Sequence, residues 1–125
     1  MISGAHVLLY SKDPEADRAF FRDVLELRSV DAGHGWLIFA LPPAEVALHP
    51  TDGSSERLHG GRELLGGVLY FMCDDVRAAM NSLKAKNVTC TPLEDAPWGI
   101  KTTFQLPSGG EIGLYEPRHA TPLKP

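Results

Sequence analysis

The chain has 125 residues, enough for one domain with a core of its own. With 43% hydrophobic and 22% charged residues it has the composition of a folded chain, not a disordered one. Its 12 basic and 16 acidic residues leave a net charge of −4, and its longest basic cluster, Lys84-Ala85-Lys86, is too short for a nucleic-acid footprint and suits the negative pole of a helix end.

Residues Met1–His6 have neither a basic start nor an apolar run, so no signal peptide is expected. No apolar stretch approaches the roughly 20 residues of a membrane span. Cys73 and Cys90 stand alone in apolar surroundings and read as reduced, buried thiols of a cytoplasmic protein. Cys-x-x-Cys, P-loop, G-x-G-x-x-G, H-E-x-x-H and G-x-S-x-G patterns are all absent, which removes the common nucleotide, zinc-protease and hydrolase readings.

In chain order, AHVLLY at 5–10 predicts a strand. Lys12-Asp13-Pro14 starts a helix, with Asp13 as cap, Pro14 at the first position and Glu15 and Asp17 at the positive end. Ala16, Ala19, Phe20 and Val24 give it one apolar face, and it should end near Glu26. Residues 27–32 and 36–41 predict strands joined by the Gly33-His34-Gly35 turn. Pro42-Pro43 breaks the second, and 44–49 predicts a further strand ended by Pro50. The segment 50–66 is rich in Gly, Ser and charge and reads as an irregular linker.

The pattern then restarts. Residues 67–73 predict a strand, and Asp74 or Asp75 caps a helix bearing Val76, Ala79, Met80 and Leu83 on one face. Strands follow at 88–93, 98–106 and 111–116, with a break at Ala96-Pro97 and a hairpin turn at Pro107-Ser108-Gly109-Gly110. The tail from Pro117 is Pro-rich and expected to be loosely held. The order is β-α-β-β-β twice: a module over about 2–50, a linker over 51–66, a module over about 67–117 and a tail over 118–125. Setting Asp13 against Asp75 pairs His6 with Val68 and Tyr10 with Met72. The expected fold is therefore α+β: two βαβββ modules forming one curved eight-stranded mixed sheet, helices on its outer face and a concave inner face.

His6 with Asp13, the run Phe20-Phe21-Arg22-Asp23-Val24-Leu25, Cys73-Asp74-Asp75-Val76, Pro97-Trp98-Gly99, Leu106-Pro107-Ser108-Gly109-Gly110 and Leu114-Tyr115-Glu116-Pro117 occur in a telling order. In that order and spacing the chain resembles the vicinal oxygen chelate superfamily of glyoxalases, bleomycin-resistance proteins and extradiol dioxygenases, over roughly residues 2–118. Leu106 stands where an Asp is common. The resemblance implies metal ligands at four positions, here His6, Ala47, Val68 and Gly113. Only His6 can ligate, whereas a divalent ion wants at least three protein donors. Residues i and i+2 share a strand face, so a displaced site built on His6 and His49 is the alternative, with Glu45 or Glu111 as a third donor.

By the same alternation Leu8, Tyr10, Tyr70 and Met72 join His6 on the inner face, while Val7, Leu9, Leu69, Phe71 and Cys73 pack under the helices. Trp36, His49, Trp98 and Tyr115 complete the expected ligand-binding set, since rings with polar tips suit a flat organic molecule. His34, His59 and His119 are expected to be solvated. No nucleophile or close carboxylate pair stands out. The preferred reading is a protein that binds a small organic molecule without the usual metal centre and without a cofactor. The alternative is a metal-dependent lyase, isomerase or dioxygenase, and a weaker third is a non-catalytic regulatory domain. The resemblance also implies a homodimer.

Overall fold

The computed structural model describes residues 6–48, 58–59, 62–63 and 67–123. In chain order they form α1 (Pro14–Asp23), β1 (Ser29–Asp31), β2 (Leu37–Phe39), β3 (Leu58–His59), β4 (Arg62–Glu63), β5 (Tyr70–Met72), α2 (Val76–Ala85), β6 (Glu94–Ala96), β7 (Gly99–Gln105) and β8 (Glu111–Pro117).

The later half builds one sheet, in the order β5-β8-β7-β6. β5 runs parallel to β8, and the other pairs are antiparallel. The β7–β8 ladder extends from Gly99↔Pro117 to Gln105↔Glu111. Its turn is closed by Leu106 N–H donating to Gly110 O at 2.7 Å. Period-two alternation sends Phe104, Ile112 and Leu114 to one face, where they form the core with Val76 and Val88. Leu69, Phe71 and Cys73 pack against that core, as the alternation predicts. Phe104 retains 2% exposure, and burying a phenylalanine to that degree contributes about 1.5–3 kcal/mol.

α2 crosses this face. Asp75 caps it by accepting from Ala78 N–H at 3.1 Å, and Glu116 Oε1 accepts from Val76 N–H at 3.1 Å. The carboxylate of β8 thus satisfies an otherwise orphaned amide of the helix start. The strand expected over 88–93 begins its ladder later, at Glu94. Thr91 N–H donates to Thr103 O, and Thr103 N–H donates to Thr91 Oγ1, both at 2.9 Å. Glu94 then pairs with Lys101, so three steps along one strand oppose two along the other. One extra residue thus lies between Thr91 and Glu94, where Pro92 has no N–H to give a regular ladder.

α1 begins as expected: Asp13 accepts from Ala16 N–H at 3.2 Å, and Pro14 occupies the first turn. Its apolar face, Phe20 and Val24, packs on the core of the later half, with the Phe20 and Phe104 rings stacked at 6.1 Å. Asp17, 8% exposed, accepts from Ser11 Oγ at 2.5 Å, Ser108 Oγ at 2.7 Å and Ser108 N–H at 3.1 Å. Lys86 Nζ donates to Val24 O at 2.9 Å and pairs with Glu26 at 3.3 Å.

The earlier half departs from expectation. β1 and β2 pair as a hairpin whose turn is held by Asp31 accepting from Gly33 N–H at 2.7 Å. Residues 6–10 and 44–48, however, form no ladder. Val7 and Leu9, expected beneath the helices, are 57% and 49% exposed, and Val46 and Leu48 are more exposed still. An extended segment becomes a strand only when a neighbouring strand takes its N–H and C=O groups, and among the described residues no strand pairs with either segment. Among the described residues three separate sheets are formed, and the single curved eight-stranded sheet that was expected is not seen. The segment expected as irregular linker contains the paired β3 and β4. Of the tail expected to be loose, the start is tied down: Arg118 N–H donates to Trp98 O at 2.9 Å, and the Arg118 guanidinium pairs with Asp95.

Candidate functional site

The face of the later sheet turned away from the helices carries Tyr70 and Met72 from β5, Lys101 from β7, and Gly113 and Tyr115 from β8. Tyr70 and Gly113 are register partners, as are Met72 and Tyr115. A Cβ at position 113 would lie 2.1 Å from Tyr70 Cδ1, so only glycine admits the Tyr70 ring there. That ring meets Tyr115 edge-to-face at 5.7 Å and Trp98 at 6.0 Å, and Trp98 meets Tyr115 at 5.2 Å. All three contacts are steeply inclined, the arrangement that ring quadrupoles favour. Trp98 is brought in by close approach at Gly99, where a Cβ would fall 2.6 Å from Glu116 O.

Polar groups ring this platform. Lys101 Nζ lies 5.8 Å from the Trp98 ring centre and 3.3 Å from Glu94, whose hydrogen bond is the leading cause of a raised amine pKa. His119 stacks on Tyr115 at 5.8 Å, with Nε2 at 3.0 Å from the Tyr115 hydroxyl and Nδ1 at 2.8 Å from Ala120 O. Glu45 lies 3.9 Å from His119 Nε2 through one oxygen and accepts from the Thr121 hydroxyl through the other. Burial, followed by Glu45 and Tyr70, raises the Tyr115 hydroxyl above its ordinary pKa and keeps it protonated at neutral pH.

Of the residues expected to bind a ligand, Tyr70, Trp98 and Tyr115 come together, with Met72 beside them. Trp36 is elsewhere, beneath the Arg18 guanidinium at 4.4 Å. His6, Leu8 and Tyr10 are exposed on a segment outside the sheet. His49 lies outside the described residues. His119, expected to be solvated, is the residue missed. Only its place four positions after Tyr115 hinted at it, and the contact depends on how the chain turns after Pro117. Neither thiol adds a nucleophile. Cys73 packs with the core, donates to Tyr115 O at 3.5 Å and is pushed up to about 11, first by burial and then by Glu116, Asp74 and Asp75. Burial raises Cys90 as well.

The residues do not fit the metal centre that the resemblance implies. Ala47, Val68 and Gly113 offer no side-chain donor, and the Tyr70 ring fills the space that a ligating side chain at 113 would need. Glu116 is committed to the start of α2. Among the described residues no group of three His, Cys, Asp or Glu side chains converges. A hollow of about 400 Å³ lies on the β1–β2 hairpin, lined by Arg28, Ser29, Val30, Ile38, Phe39 and Ala40. Its one ring, Phe39, is packed edge-on to Phe21 at 5.4 Å, so it offers no comparable platform.

The family model described as Glyoxalase/Bleomycin resistance protein/Dioxygenase superfamily matches residues 4–117. Among solved structures, the chain is similar to lactoylglutathione lyase from Agrobacterium tumefaciens, with 20% identity, coverage of 91% of this chain and 92% of that one, and a TM-score of 0.61. It is similar to TnmS3, an antibiotic binding protein from Streptomyces sp. CB03234, with 27% identity, coverage of 94% and 99%, and a TM-score of 0.57. A glyoxylase/bleomycin resistance protein/dioxygenase domain from Frankia sp. EAN1pec shares 15% identity, with coverage of 94% and 100% and a TM-score of 0.60. No curated protein sequence matches the chain.

Proposed function

The chain belongs to the Glyoxalase/Bleomycin resistance protein/Dioxygenase superfamily, and on that premise we propose that it binds a small flat organic molecule without the family's usual metal centre. The observation that carries this reading is the platform of Tyr70, Trp98 and Tyr115, with ring centres 5.2–6.0 Å apart on the face away from the helices. Ring faces bind planar apolar molecules, and the nearby hydroxyl, imidazole and amine orient them. The likeness to an antibiotic binding protein over 94% of the chain supports binding over turnover. The donor set at His6, Ala47, Val68 and Gly113 supports the absence of a metal.

A second copy of the chain is part of the proposal. Val46 at 89% and Leu48 at 94% exposure place two apolar side chains in water that a second copy would cover. Light scattering across a concentration series should report a dimer, and a strictly monomeric chain would remove this part.

The two tryptophans make the binding test direct. In a Trp36→Phe variant Trp98 is the sole indole, and titration with a polycyclic aromatic antibiotic should quench it saturably. Trp98→Ala, followed by calorimetry, should weaken binding roughly tenfold, as expected for losing one aromatic contact and its buried area. Unaltered affinity in Trp98→Ala would move the site elsewhere. About one tightly held metal ion per chain, surviving chelator dialysis, would sink the metal-free part.

A further inference from the structure

We propose that the site favours ligands carrying a hydrogen-bond donor at the Tyr115 end of the platform, a phenol above all, because Tyr115 and His119 form a one-way donor chain that leaves the Tyr115 oxygen only acceptor capacity towards the ligand. The inference rests on the binding reading above. It starts from His119 Nδ1, 2.8 Å from the Ala120 carbonyl. A carbonyl oxygen only accepts, so Nδ1 carries the proton. In the neutral imidazole Nε2 is then an acceptor. Its hydrogen-bond partner is the Tyr115 hydroxyl at 3.0 Å, which must donate to it.

The Tyr115 proton is therefore spent on His119. What the Tyr115 oxygen retains is lone-pair capacity, which can accept from a ligand O–H or N–H and cannot serve a ligand ether or carbonyl. Glu45, 3.9 Å from Nε2, lies beyond hydrogen-bond reach of the ring, and its other oxygen is taken by Thr121. It adds further acceptor character and no donor. Stacking of His119 on Tyr115 at 5.8 Å, together with the ties of Arg118 to Trp98 O and of Thr121 to Glu45, holds the imidazole in this orientation. A donor chain of this kind also polarises along its length, which strengthens acceptance at its open end.

The test uses two flat bicyclic probes of nearly equal shape, umbelliferone and its methyl ether, titrated calorimetrically into the full chain below the phenol's titration range. The first has an O–H, the second only an ether oxygen. The wild-type chain should prefer the phenol by roughly three- to tenfold, the net effect of one hydrogen bond. His119→Phe keeps the stacked ring and removes Nε2, which frees the Tyr115 hydroxyl to donate. The preference should vanish or invert in favour of the ether. Tyr115→Phe should abolish it while leaving both probes bound. Equal wild-type affinities overturn the inference and leave the aromatic platform standing. So does a preference that survives His119→Phe, or an equal loss of both probes, which marks His119 as structural. If neither probe binds the wild-type chain, the binding reading falls and takes this inference with it.

Discussion

Residues 67–117 and residues 6–48 carry the same predicted order of elements and end in different physical states. In the later segment every strand finds a neighbour, and Val76, Val88, Phe104, Ile112 and Leu114 close a core. In the earlier one only β1 and β2 pair, and Phe20, Val24 and Leu25 find burial by packing on the other segment's core. The difference lies in how local the pairing is. β7 and β8 are joined by a short turn, so their ladder forms at little entropic expense. Residues 6–10 and 44–48 have no strand joined to them by a short turn among the described residues. Helices make their own backbone hydrogen bonds, so α1 forms as predicted while residues 6–10 before it join no ladder among the described residues.

The sharpest way to test this asymmetry is Phe104→Ala. It empties the centre of the closed core and should lower unfolding free energy by about 3–5 kcal/mol in urea denaturation. A loss below about 1 kcal/mol would mean that the later core is not the main source of stability. Gly113→Glu comes next. It drives a side chain into the Tyr70 ring and should cost about 1–3 kcal/mol, with loss of the near-ultraviolet dichroism of the aromatic cluster and no gain of metal. Retained dichroism with new metal binding would show that the platform can yield the space. Asp17→Ala cuts the clasp between α1 and the 106–110 turn. It strands two hydroxyls and an amide and should cost about 1–3 kcal/mol.

Smaller effects follow. Cys73 is pushed up to about 11 from an ordinary 9.0, so at any pH between these values the folded chain holds less thiolate than the unfolded one. Alkylation by iodoacetamide should be slow in the folded chain and accelerate on adding urea, as mass spectrometry can follow. The ionised thiol favours unfolding, so this contribution to stability is intact below the unfolded value and fades as pH rises towards the folded one. Least of all, Leu48→Ser should change unfolding at high dilution by no more than about 0.5 kcal/mol, since the side chain lies in water. A marked destabilisation there would show that the exposed segment is covered in solution even at low concentration.

Legibility in sequence follows the same division. Alternation over 69–73 identified Leu69, Phe71 and Cys73 as the residues that face the helices, because successive side chains of a paired strand must point to opposite faces of the sheet. The caps Asp13 and Asp75 were readable because a cap and its helix lie within a few residues of each other. The same alternation placed Val7 and Leu9 under helices and failed there, since periodicity says what a segment would bury and not whether a partner is present. Tyr70, Trp98 and Tyr115 were readable as a group from their face and ring chemistry. His119 was not, because its contact with Tyr115 is made by a reversal after Pro117 that no periodicity announces. The late start of β6 at Glu94 was equally silent, although Pro92 stood in plain view.

The later sheet has two unlike borders. On the β6 side, Pro92 and Pro97 flank the strand and lack amide protons, and Glu94 and Asp95 place two negative charges at the rim. These are the features by which sheets refuse an additional strand. On the β5 side, Tyr70-Phe71-Met72 has no proline and no charge, and among the described residues no strand pairs along its outer border. The sheet is thus a one-sided template. Any chain that extends it through backbone hydrogen bonds, whether this molecule's own earlier half or a second copy, docks at Tyr70–Met72, at the border of the aromatic platform.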